Sequence, residues 1–187
     1  MDWVSTLIGA AIGFVSSIGI LFAERILDRT GKTHIYVKIV NARGTGKYTW
    51  GFKEFDSGIS FHVPLWMELE NTSNTTRVLR DVNLVLFQGK TRITEMVQFQ
   101  SNTLKDKEPI VFGNDGSYSF VLEPRSIHKY ECHFGLKMTA VQGKHFDQVK
   151  LRYYDELDRE HLFLLGEVDG DWQEKQFPRS GKWQKMK

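Results

Sequence analysis

Cysteine is nearly missing from this chain of 187 residues: Cys132 stands alone. No intramolecular disulfide can form, and one thiolate cannot build a cysteine-based zinc site. A lone cysteine fits a reducing compartment. Proline is scarce too, with four residues, which excludes a proline-rich linker. Charge of one sign is also lacking. Twenty-five basic residues face 23 acidic ones, and a net charge of +2 is too small to point to nucleic acid. Six histidines occur, but none makes an H-E-x-x-H or H-x-x-x-H pair. G-x-S-x-G is absent. The run ARGTGKY (42–48) lacks the first glycine of a phosphate loop, and Tyr48 stands where Ser or Thr would be needed. These absences leave no catalytic motif, no metal site and no cofactor to expect.

What is present begins with VSTLIGAAIGFVSSIGILFA (4–23). From Trp3 to Ala23, 21 residues pass without an ionisable side chain. As a helix this segment would rise about 31 Å, close to the roughly 30 Å hydrocarbon thickness of a bilayer. A cleaved signal would open on basic residues and carry a shorter apolar core. Here Met1-Asp2 precede the run, and Arg25, Arg29 and Lys32 follow it. Cations flanking a span stay in the cytoplasm, so the N-terminus is expected outside and the remainder inside. Small residues recur at every fourth place, Ser5, Gly9, Gly13 and Ser17, and Gly9-Ala-Ala-Ile-Gly13 is a G-x-x-x-G. On a helix they form one stripe where a second backbone can approach closely, which predicts a homo-oligomer packed through the span.

After residue 30 the apolar pattern changes to period two. HIYVKIVN (34–41) alternates, and SFHVPLWMELE (60–70) puts Phe61, Val63, Leu65, Met67 and Leu69 on one face. Pro64 argues against a central place for that strand. NTSNTT (71–76) reads as a turn, RVLRDVNLVLFQ as a strand with Val82, Leu84 and Leu86 on one side, and Gly89-Lys90 as a tight turn. Asn114-Asp115-Gly116 signals a hairpin, and 146–166 reads as two strands around Asp155–Arg159. Eight to ten short strands and no second helix predict an all-β antiparallel sandwich or small barrel behind one transmembrane helix. The expected divisions are 1–29 for the helix and juxtamembrane segment, 30–171 for the sandwich and 172–187 for a tail. Residues 60–100, with their strand, Asn-Ser turn and strand, resemble the immunoglobulin-like sandwiches of bacterial surface and membrane-anchored proteins. That resemblance implies an immunoglobulin-like fold, although the Cys…Trp…Cys signature of antibody domains is missing.

The tail WQEKQFPRSGKWQKMK carries Lys175, Arg179, Lys182, Lys185 and Lys187 against Glu174, with Trp172, Phe177 and Trp183 between them. Together with Arg25, Arg29 and Lys32, its residues Lys175, Arg179, Lys182, Trp183 and Lys185 are candidates for a contact with membrane lipid. The alternative is a solvated tail whose aromatics pack on the sandwich. Glu167, Asp169 and Asp171 alternate but fail as a calcium loop, because Pro178 occupies the twelfth position. Three functions remain in play. The first is a membrane-anchored sandwich that binds a protein or small ligand and self-associates. The second is a ligand-sensing effector whose clustered spans perturb the bilayer, as in bacterial antiviral systems. The third is an enzyme with its site on the sheet. Trp50, Trp66 and Tyr48 are candidate exposed aromatics for a binding surface. An outward-facing domain would expose two glycosylation sequons, at Asn71 and Asn74.

Overall fold

A computed structural model describes residues 3–40, 50–56, 58–98, 118–141, 143–177 and 182–186. The expected hairpin at Asn114–Gly116 and the turn at 42–48, with Tyr48, lie outside these residues. The chain opens on helix α1 (Trp3–Arg29), and everything after it is β. Nine strands of five residues or more are β1 (Thr33–Ile39), β2 (Gly51–Phe55), β3 (Gly58–Asn71), β4 (Arg77–Gln88), β5 (Thr91–Glu95), β7 (Tyr118–Leu122), β8 (Ser126–Lys137), β9 (Gln148–Tyr154) and β10 (Glu160–Glu167). Three two-residue strands join them: β6 (Val97–Gln98), β11 (Lys175–Gln176) and β12 (Gln184–Lys185). Among the described residues the only other helical element is a 3-10 turn at Met138–Val141.

β3 is the spine of the first sheet. β8 pairs antiparallel along one of its edges, from Ser60↔Lys137 to Asn71↔Ser126. The other edge is shared in tandem, with β1 against Leu65–Asn71 and β2 against Gly58–His62. Pro64 sits at the seam between these two partners. Its carbonyl accepts from Val40 N at 3.3 Å, so its missing N–H points where β1 has just ended. A central strand therefore tolerates the proline, against the expectation from sequence, because the lost donor falls in a gap of the ladder. The second sheet runs β10-β9-β4-β5, with β7 sharing the β5 side of β4.

The two sheets bury the alternating faces that the sequence marks. Phe61, Val63, Leu65, Met67 and Leu69 face Val82, Leu84, Leu86, Val149 and Leu151, all fully buried. Each such side chain contributes about 2 kcal/mol of transfer free energy relative to exposure. Cys132 lies in this core, its Sγ 3.8 Å from Met67 Sδ, and burial pushes its thiol pKa up to about 12. Trp50 is core rather than surface, packed at a tilt against Phe61 and Phe177, while Trp66 is half-buried beneath Lys129 Nζ. β4 breaks its alternation once. Leu79 and Val82 both face inward three residues apart, and Asp81 takes a left-handed φ of 49°. That β-bulge aims the Asp81 carboxylate at Arg152 on β9.

The C-terminal residues return along the first sheet. β11 pairs with β2 and β12 with β1, while Trp172, Phe177 and Met186 pack against the core.

Candidate membrane anchor and its junction

α1 is 27 residues long, about 40 Å at about 1.5 Å per residue. Its segment Gly9–Ile26 has a mean hydropathy of 1.5, and none of that segment is buried against the rest of the chain. Phe14, Val15, Leu21 and Phe22 each expose about two-thirds of their surface (65–68%). A helix of this length and composition is able to cross a membrane. The sequence dictates this form. No Pro interrupts the run, so backbone N–H groups donate to carbonyls four residues back along it, while Leu, Ile, Ala and Phe offer hydrocarbon to the surroundings.

Gly9 and Gly13 have no atom within 4 Å of where a Cβ would stand, so their stripe is an open groove. Ser17 lies on the same stripe, and its hydroxyl donates to the Gly13 carbonyl at 2.8 Å. The hydroxyl is thus satisfied within the helix and needs no water. Ser5 belongs to the same helix, one turn before Gly9. Arg25 lies two residues beyond the apolar run, Arg29 closes α1, and Lys32 precedes β1.

The junction between helix and sandwich is short and pinned. Lys32 N donates to Thr72 Oγ1 at 2.8 Å, Thr72 N donates to Lys32 O at 3.1 Å, and the Thr72 hydroxyl donates to Lys32 O at 3.0 Å. Gly31 makes this approach possible with a φ of 128°; a Cβ there would lie 2.5 Å from Ser73 Cα and 2.6 Å from Ser73 N. Asn71, 1% exposed, ties the same turn to the end of β7 by donating to the carbonyls of Thr75 (2.8 Å) and Glu123 (2.9 Å). Its Oδ1 accepts from Ser73 N at 3.0 Å, and Arg125 N donates to Ser73 O at 3.0 Å. The turns at 71–76 and 123–125 therefore share the end of the sandwich at which α1 enters. Neither Gly31 nor this network carried a spacing signal in the sequence beyond the turn composition of NTSNTT.

Gly31→Ala is expected to destabilise the full chain by about 2 kcal/mol, since the strained φ and the backbone clash add. Thermal unfolding in detergent should fall by about 4–8 °C for a chain of this size. Gly58→Ala is the matched control: its φ is 101° but the space around it is open, so the shift should be smaller. Equal shifts would show that Ser73 gives way.

The candidates in the tail lie elsewhere. Lys175 Nζ is 2.8 Å from Asp169 Oδ2, and β11 pairs with β2, which runs along the half of β3 that lies away from α1. Some nine residues of β3 separate that pairing from Asn71, about 30 Å at about 3.4 Å per residue. Lys185 lies over the Tyr36 ring at 5.3 Å, Trp183 is 38% exposed and Lys182 precedes them. Arg179 is outside the described residues. Among the described residues, Lys175 lies at the end of the sheet away from Lys32, whereas Lys185 pairs with Tyr36, four residues along from Lys32.

Other charged groups are committed to structure. Arg152, with 4% of its side chain exposed, is held by Asp81 and by Glu95 Oε1 at 2.8 Å. Burial of the Asp155 carboxylate works to raise its pKa. Hydrogen bonds from the Arg159 and His161 side chains and from the N–H groups of Arg159 and Leu157 outweigh that and hold it well below the usual carboxylate range. Burial lowers His62 to about 4, with Lys53 and His133 adding to the effect, so at neutral pH it is an uncharged ring packed 5.3 Å from Phe55. Among the described residues no three His, Cys, Asp or Glu side chains converge as metal ligands. An open depression of about 280 Å³, lined by Asp147, Gln148, Glu167 and Val168, lies at the end away from α1. It is smaller and more polar than a small-molecule pocket of the usual kind.

No curated protein matches the chain. A family model, the YopI Ig-like domain, matches residues 43–163. That match spans well over half of the chain and covers most of both sheets, and the protein belongs to the YopI Ig-like domain family.

Proposed function

We propose that this chain is a single-pass membrane protein whose immunoglobulin-like sandwich is a non-enzymatic interaction module, held at the bilayer and clustered through α1. The observation that carries the reading is the exposure of Gly9–Ile26 in α1, none of which is buried against the sandwich. So much contiguous hydrocarbon is not sustained in water. A cleaved signal fits less well. α1 continues unbroken to Arg29, and Thr30–Lys32 lead straight into the hydrogen bonds with Thr72. No extended segment lies between helix and domain for a peptidase to grip.

Arg25, Arg29 and Lys32, which follow the span, support a sandwich on the cytoplasmic side. The buried Cys132 accords with that side. An outward domain glycosylated at Asn71 is disfavoured, because its carboxamide is buried and bonded to two carbonyls. The open stripe of Gly9, Gly13 and Ser17 supports pairing of spans, in which close backbone approach and dispersion supply the attraction. The sandwich then presents loops and edge strands to a protein or ligand partner.

The test is the subunit number of the full chain in mild detergent, by light scattering, with and without Gly9→Leu/Gly13→Leu. The wild type should be oligomeric, and the double variant should associate at least about tenfold more weakly, equivalent to about 1.4 kcal/mol. A monomeric wild type at all concentrations removes the clustering. Digestion of the sandwich by external protease in intact cells reverses the orientation.

A further inference from the structure

Exposed apolar side chains on the sandwich are not scattered. The three most exposed large hydrophobic residues among its described residues are Leu157 (70%), Val121 (65%) and Ile127 (59%); the next, Leu164, is at 50%. All three lie at the end where α1 enters. Ile127 pairs with Glu70, one residue from the end of β3, and Val121 pairs with Val78, one residue from the start of β4. Leu157 caps the β9–β10 turn, whose Glu156 accepts from Arg77 Nη1 at 3.0 Å. Two turns far apart in sequence, at 123–125 between β7 and β8 and at 155–159 between β9 and β10, thus bring hydrocarbon to one end of the domain.

From this juxtaposition we infer that the helix-side end of the sandwich rests on the bilayer, with Leu157, Val121 and Ile127 inserted at the lipid interface. The inference rests on the anchoring of α1 proposed above. Continuity with that span supplies the occupant. Glu24–Arg29 add about 9 Å beyond the apolar run, enough to cross the roughly 5–7 Å of headgroups on one side. The pinned junction then sets this end of the domain at the membrane surface. Leu157 is presented on a fixed turn, because Asp155 Oδ1 accepts from Leu157 N at 2.9 Å and from Arg159 N at 3.0 Å. Insertion is apolar rather than electrostatic. Of the cations on these turns, Arg77, Arg80 and Arg159 are each matched by a carboxylate, of Glu156, Asp158 and Asp155, and Arg125 donates to the Asn74 carboxamide oxygen. α1 enters beside β1 in the first sheet and Leu157 projects from the edge of the second, so the contact would hold the domain at two corners.

The experiment uses the full chain in phosphatidylcholine nanodiscs, labelled with an environment-sensitive fluorophore on single introduced cysteines. Cys132 is buried, with its thiol pKa pushed up to about 12, and does not compete for the label. Labels at Leu157→Cys, Val121→Cys and Ile127→Cys should be quenched several-fold more by bromolipid than a label at Met138→Cys, at the opposite end of the domain. Ile12→Cys, in the span, is the positive control. Quenching at Ile12 with none at the three end positions overturns the inference and leaves the anchor standing. No quenching at Ile12 removes the anchor and the inference with it. Quenching at the end positions that vanishes in high salt overturns the apolar contact. Labels there that are shielded from lipid and from aqueous quencher alike assign this end to a protein partner and overturn the inference as well.

Discussion

Arginines at Ile12 and Val15 are expected to release the full chain from membranes. The ten strongly apolar residues between Trp3 and Ala23 each favour insertion by about 0.3–0.6 kcal/mol, roughly 3–6 kcal/mol in all. One arginine near the helix centre costs about 2.5–3.5 kcal/mol on the same scale. Two of them, with the loss of Ile12 and Val15, move the balance by more than the whole favourable sum. The variant should pass from the pellet to the supernatant on alkaline extraction, while Phe55→Arg, on the exposed end of β2, should stay with the wild type. A double-arginine chain that still sediments with membranes would assign retention to the sandwich. The same sandwich should fold in both variants, because no described side chain of α1 belongs to its core.

Stranding Arg152 should produce the largest loss of folding stability. Its guanidinium is buried, and Asp81 and Glu95 are its counter-charges, their side chains 35% and 38% exposed. Asp81→Ala/Glu95→Ala leaves that cation without an anion, a change that costs about 3–5 kcal/mol in buried pairs. Unfolding should shift down by about 10 °C. Arg152→Met is expected to cost no more than about 1 kcal/mol, because the carboxylates left behind reach water and the thioether refills the space. Adding Arg152→Met to the double alanine variant should therefore restore most of the loss. If the triple variant is no more stable than the double, the penalty comes from the alanines themselves, through β4 and β5, and not from the buried charge.

These expectations rest on parts of the molecule that differ in how far sequence alone reveals them. The helix was legible because its signal is local and unbroken: a span needs only hydrocarbon in series. β3 and β4 were legible because one buried face forces period two, and Phe61–Leu69 and Val82–Leu86 obey it. The immunoglobulin-like character of residues 60–100 was legible from that rhythm and its Asn-Ser turn. Pro64 misled, since its cost depends on whether a ladder partner stands opposite, which sequence does not record. β11 and β12 went unseen because two-residue pairings are made by the sheet they join, not by their own propensity. Asp81 gave a faint sign, the three-residue step from Leu79 to Val82, but its partner Arg152 lies 71 residues away. The helix-side end is assembled from turns near residues 31, 72, 125 and 157, and no spacing links them.

The tandem pairing on β3 has a mechanical side. Beyond the Lys32–Thr72 contacts, β1 joins α1 to the domain, and its ladder to β3 runs from Thr33↔Asn71 to Ile39↔Leu65. Antiparallel hydrogen bonds lie across the strand axis, so tension pulled along α1 loads all of those rungs in shear at once instead of peeling them singly. Because β2 takes the remainder of that edge, slippage of β1 would stop at the Pro64 seam and leave β2, β3 and β8 joined. Traction arriving through α1 would thereby pass from β1 into β3 and be shared with β8 along the opposite edge.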